Sequence, residues 1–209
     1  MSTCSDYGVM FAEILDTNIR ELVKSGWKRG RNPGAPFVFG ENHLRKYVRS
    51  ALENAHYTVP PGWPTLLVER HVDGDLKGAE KRHGGVDYLM VQSPPVGRLR
   101  LADVLATCEV GGPTRPKLLD GSQRKRNWYP KIVADIQKQC WRAHAAPNGK
   151  HYVALLVRPR TGSDIRSDLA RVIEVMLREV GDAELLESSW REMKGVQDLN
   201  LVIFQVLPK

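Results

Sequence analysis

The run HYVALLV, from His151 to Val157, constrains this chain more than any other stretch. It is continuously apolar and carries no charge, glycine or proline. A strand with one wet face alternates apolar and polar residues, whereas a central strand covered on both faces does not. The run is also far short of the roughly 18 apolar residues of a membrane span. It predicts a buried central strand, and the chain around it must supply the cover.

Helical spacing and short apolar runs provide that cover. Phe11, Ile14, Leu15, Ile19, Leu22 and Val23 recur at helical intervals, predicting a helix from Phe11 to Trp27. Lys28 to Pro36, KRGRNPGAP, reads as a basic loop. A second helix is expected from about Gly40 to His56, with Leu44, Tyr47, Val48, Ala51, Leu52 and Ala55 on its apolar face. Thr65–Val72, Val86–Val91 and Val104–Val110 read as strands joined by loops rather than helices, hence an antiparallel meander. Tyr129–His144 is helical, and His151–Val157 follows it. Ser163 opens a long helix, a shorter helical stretch is expected near Ala183–Lys194, and Leu199–Val206 is the last strand. The expected fold is an α/β sandwich with a mixed sheet. Its order is helix, three-strand meander, helix, strand, helix, strand. Residues 1–36 read as a helical extension with its basic loop, and 37–209 as the main domain.

A chain of 209 residues can bury a core without staples. Cys4, Cys108 and Cys140 are odd in number and lack metal-ligand spacing, which argues against a disulfide framework or a zinc site. A reducing cytoplasm fits best. No signal peptide or membrane segment is apparent. Lys and Arg number 31 against 24 acids, a formal charge of +7 that favours a polyanionic partner such as nucleic acid.

Two acids sit where strands disfavour them. Asp87 lies within VDYLMV and Glu109 within LATCEV. A buried carboxylate without a partner costs several kcal/mol, roughly, or takes up a proton. Two acids on neighbouring strands, each near an end, could converge on one point, where a divalent cation would offset their repulsion; either could instead face water on an edge strand or pair with an arginine. Oxygen ligands without cysteine sulfur indicate Mg²⁺ or Mn²⁺. Glu41 shares a helix face with Leu44 and Val48, so it would project towards the sheet. An acid in a helix's first turn is equally what the helix dipole favours.

The order of these elements resembles the PD-(D/E)XK nuclease superfamily, the restriction-endonuclease-like fold. The residues that carry the resemblance are ENHLRKYVRSALENAHY with Glu41, GVDYLMV with Asp87, CEVGG with Glu109, and WYPKIVADIQKQCWRA followed by HYVALLV. The resemblance implies a metal-dependent DNA endonuclease of the restriction or defence type, which hydrolyses phosphodiester bonds. Asp87 and Glu109 would hold the metal with the backbone carbonyl of Val110, and Glu41 would orient its water shell. The pattern asks for a lysine two residues after the glutamate, where this chain has Gly111. Members of the superfamily move that lysine to another element. Lys131 is the expected substitute, ahead of Lys117 and Lys46. The alternative is a nuclease-fold subunit that has lost cleavage and binds nucleic acid or protein.

Beyond Gly111 and Gly112 the chain carries Arg115, Lys117, Arg124, Lys125 and Arg126. This run is the expected DNA contact, with Trp128 and Tyr129 as an aromatic surface for base stacking. Cutting both strands of a duplex needs two sites, which a homodimer would supply.

Overall fold

Apolar alternation and helical spacing resolve into a mixed six-stranded sheet flanked by four helices. The computed structural model describes residues 6–24, 41–54, 58–73, 85–114, 128–158, 164–196 and 199–209. The helices are α1 (Tyr7–Lys24), α2 (Glu41–Glu53), α3 (Trp128–Ala145) and α4 (Ile165–Val180). The strands are β1 (Thr65–Arg70), β2 (Val86–Val91), β3 (Val104–Thr114), β4 (Lys150–Val157), β5 (Ala183–Met193) and β6 (Leu199–Pro208). Their order across the sheet is β1-β2-β3-β4-β6-β5. β1, β2 and β3 form an antiparallel meander, α3 crosses over to lay β4 parallel to β3, and β6 is antiparallel to β4.

The HYVALLV run is the central strand its composition demands: every residue of β4 after Lys150 is buried. On one face α1 and α2 set Phe11, Ile14, Leu15, Ile19, Leu22, Leu44 and Val48 against Tyr88, Met90, Cys108, Val110, Tyr152 and Ala154. On the other, α3 and α4 set Ile132, Ile136, Leu169, Val172 and Met176 against Val153, Leu155, Val202 and Phe204. The helix expected as an extension therefore packs into a core it shares with the meander. Asp6 caps it, accepting the Gly8 amide hydrogen at 3.0 Å, and also accepts from the Ser188 hydroxyl of β5 at 2.8 Å. A Cβ at Gly8 would lie 2.0 Å from that hydroxyl oxygen, so glycine is what lets α1 approach β5.

One element differs in type. The helix expected near Ala183–Lys194 is strand β5, paired along its length with β6 from Ala183↔Pro208 to Met193↔Leu199. Its leucines, glutamates and arginine favour a helix, but the apolar β6 otherwise presents an open ladder, and pairing overrides propensity. Glu184, Glu187, Arg191 and Glu192 keep this edge charged, which discourages further strand addition. The other boundaries shift by a few residues. β3 runs on to Thr114 rather than Val110, and Asp164, whose carboxylate accepts the Arg166 amide hydrogen at 3.1 Å, caps α4.

Candidate functional site

The two strand acids meet at the end of the meander. Leu89 pairs with Thr107 and Tyr88 with Cys108, so alternation puts Asp87 and Glu109 on the sheet side that α3 covers. Asp87 is 2% exposed and Glu109 3%. The backbone amide of Val110 donates to Asp87 Oδ2 at 2.9 Å.

Arginines reach these acids from both layers. Arg45 of α2 donates through Nη1 to Asp87 Oδ1. Arg142 of α3 donates through Nη1 to Glu109 Oε1 at 2.6 Å, with the arginine side chain wholly buried. Burial first, then the charge of Asp87, pushes the Glu109 carboxyl up to about 7, against the pull of Arg142.

Behind Glu109 lies a closed polar network. Gln139 donates to the Tyr152 carbonyl at 2.6 Å, which fixes its amide orientation. Its oxygen then accepts from the Thr107 hydroxyl at 2.8 Å and from Arg142 at 3.3 Å. With the Thr107 proton spent on Gln139, the same hydroxyl oxygen accepts from His151 Nδ1, 2.8 Å away.

Lys131, on the first turns of α3, points back to the strand. Its Nζ lies 3.5 Å from the Val110 carbonyl oxygen and 3.0 Å from Asp135 Oδ2. Lys138 takes the other Asp135 oxygen at 3.3 Å. Burial, then Glu109, raises the Asp135 carboxyl above its ordinary value. Lys131, the Val110 carbonyl and the two strand acids thus occupy one corner of the sheet. Gly111 lies beneath Ile132 of α3 and Leu155 of β4, whose side chains a Cβ would meet at 3.3 and 3.2 Å.

Other expected residues fall elsewhere. Glu41 begins α2, but its side chain lies outside the described residues, as do Arg115, Lys117, Arg124, Lys125, Arg126 and the Trp128 side chain. Tyr129 is 2% exposed and belongs to the α3–α4 core, so it offers no stacking surface and that expectation is corrected. Among the described residues, no group of three His, Cys, Asp or Glu side chains is arranged to hold a metal ion. Nor is any helix among them long and apolar enough to cross a membrane.

Sequence reasoning missed Arg45, Arg142, Asp135 and Gln139. The last three stand at i, i+4 and i+7 on α3, a polar stripe at helical spacing on an inward face, and that spacing is the signal that would have found them.

Comparison of the chain with protein families, with curated proteins and with solved structures finds no match in any of the three.

Proposed function

We propose that this chain is a metal-dependent endonuclease acting on DNA, built on a restriction-endonuclease-like core. One observation carries the reading. Asp87 and Glu109 share one side of adjacent strands, and Lys131 of the crossover helix reaches the Val110 carbonyl beside them. The helix–meander–helix–strand order supports it, as does the parallel pairing of β3 with β4. The +7 charge favours a polyanionic substrate.

Two carboxylates and a backbone carbonyl are an oxygen-only donor set. They suit Mg²⁺ or Mn²⁺, which are commonly held by one or two carboxylates and keep several waters. Asp87, Glu109 and the Val110 carbonyl would hold the ion, which when bound supplies a water of lowered pKa and offsets charge at phosphorus. The Val110 amide orients Asp87, and Arg142 orients Glu109. Lys131, anchored by Asp135, would donate through its ammonium to the phosphoryl oxygen that gains charge.

The test incubates the purified chain with plasmid and with single-stranded DNA in Mg²⁺, Mn²⁺ or EDTA. Cleavage in metal, abolished by EDTA, Asp87→Ala and Glu109→Ala, is the expected result. Cleavage that survives both substitutions removes the assignment.

The arginine pairing favours a second reading: a nuclease-fold subunit that binds without cutting. Both strand acids already have a guanidinium partner. DNA binding without cleavage under any metal condition would select this alternative.

A further inference from the structure

Asp87 has a carboxylate on the strand to either side, Glu69 of β1 and Glu109 of β3. The β1–β2 pairing passes from Val68↔Tyr88 to Arg70↔Val86, and Glu69 and Asp87 are the residues between those two pairs. One step beyond Tyr88↔Cys108, Asp87 comes opposite Glu109. Like charges directly opposite one another destabilise a sheet. The three acids persist because cations stand among them, with Arg142 on Glu109 and Arg49 on Glu69.

Arg45 serves two of the three. Its Nη1 holds Asp87 Oδ1, while its Nε lies 3.4 Å from Glu69 Oε1. The two carboxylates differ in setting: the Asp87 side chain is 2% exposed and that of Glu69 is 25% exposed. Glu69 also has φ 48°, the left-handed region that side-chain-bearing residues rarely adopt. Such a conformation persists only where its surroundings over-determine it, and here it accompanies a carboxylate set between Arg45 and Arg49. Arg45 thus has a buried partner at the metal-binding corner and a wetter one within a short swing.

We propose that Arg45 is the resident counter-ion of Asp87 and that a divalent cation displaces it, its guanidinium passing to Glu69. The inference rests on the metal-site reading above and deepens it. Without metal, Arg45 neutralises an acid whose burial would otherwise be costly. On metal arrival, two cations cannot share one carboxylate oxygen cheaply in a site closed to water. Glu69 then receives the displaced charge, and Arg49 keeps that carboxylate in place. Arg45 is a positioning residue, and its effect appears in metal affinity before any turnover.

The experiment measures Mn²⁺ binding to the full chain by the loss of the free-ion electron paramagnetic resonance signal. Wild type, Arg45→Gln, Glu69→Gln and Asp87→Asn are compared, with circular dichroism reporting the fold. Arg45→Gln is expected to bind Mn²⁺ on the order of ten-fold more tightly, because no ion pair must break first. Glu69→Gln, which keeps Arg45 committed to Asp87, is expected to bind several-fold more weakly. Should Arg45→Gln fail to fold, the weakening by Glu69→Gln decides the matter. If Asp87→Asn abolishes binding while neither of the other variants moves in the stated direction, the exchange is wrong and the metal site stands. If Mn²⁺ binds no chain, Arg45→Gln included, the exchange and the metal site fall together.

Discussion

Arg142 donates to Glu109 across 2.6 Å with both side chains closed to solvent. Such a pair stabilises little against an apolar replacement of similar size, because both ions must be desolvated. Breaking it leaves an uncompensated buried charge, which typically costs about 3–5 kcal/mol. Arg142→Met is therefore expected to lower unfolding stability by up to about that amount in urea titration above pH 7, and by less at lower pH, where the Glu109 carboxyl takes up a proton instead. The double variant Glu109→Met, Arg142→Met should recover much of the loss. If the double variant is as unstable as the two single losses added, the pair is not the coupled unit its geometry indicates.

The raised Glu109 carboxyl makes stability depend on pH. Its folded pKa, about 7, lies above the ordinary glutamate value of 4.5. The folded state therefore binds the extra proton between those values. Glu109's contribution is fully present below about 4.5 and is lost as pH rises through about 7. Unfolding stability measured from pH 4.5 to 7.5 should carry this downward component, and Glu109→Gln should remove it. Identical slopes for the two proteins would contradict the assignment. Asp135, shifted in the same direction, adds a component that Glu109→Gln does not erase.

Lys131 has a different role from the acids. Its ammonium reaches the Val110 carbonyl without sealing the core, since the side chain is 43% exposed. Lys131→Ala is expected to reduce DNA cleavage roughly 10²- to 10³-fold, the usual loss of one charge-stabilising donor. Mn²⁺ binding should not weaken, because the lysine supplies no ligand. Reduced metal affinity in Lys131→Ala would place its role in building the site instead.

Much of this arrangement is legible in the chain itself. Asp87 and Glu109 betray themselves as charges inside apolar runs, and HYVALLV can be little else than a covered strand. The cations that answer the acids are less visible, because Arg45 and Arg142 sit on helices otherwise marked by their apolar positions. A buried arginine looks like a surface arginine until the partner carboxylate is located, and that partner is distant in sequence. β5 was hidden for a different reason: AELLESSWREM has helical propensity, and only the open edge of β6 makes it a strand. The grouping of Glu69, Asp87 and Glu109 depends on register, which loop-joined strands do not disclose.

Gly111 offers a test of the role proposed for Lys131. A restored lysine at this position would have to enter between Leu155 Cδ2 and Ile132 Cγ1, which a Cβ alone would approach to 3.2 and 3.3 Å. Those side chains belong to the core between β4 and α3, so they yield only by disturbing their own packing. Gly111→Lys is accordingly expected to destabilise the fold by about 1–3 kcal/mol, as overpacking does. It should not raise cleavage, and it should not rescue Lys131→Ala, because its ammonium would emerge from a crowded apolar seam. Melting temperature and plasmid cleavage, measured on Gly111→Lys and on Gly111→Lys, Lys131→Ala, decide the point. Cleavage restored in the double variant would mean that the strand can still host the lysine and that Lys131 is its substitute by sequence alone, not by the packing around Gly111.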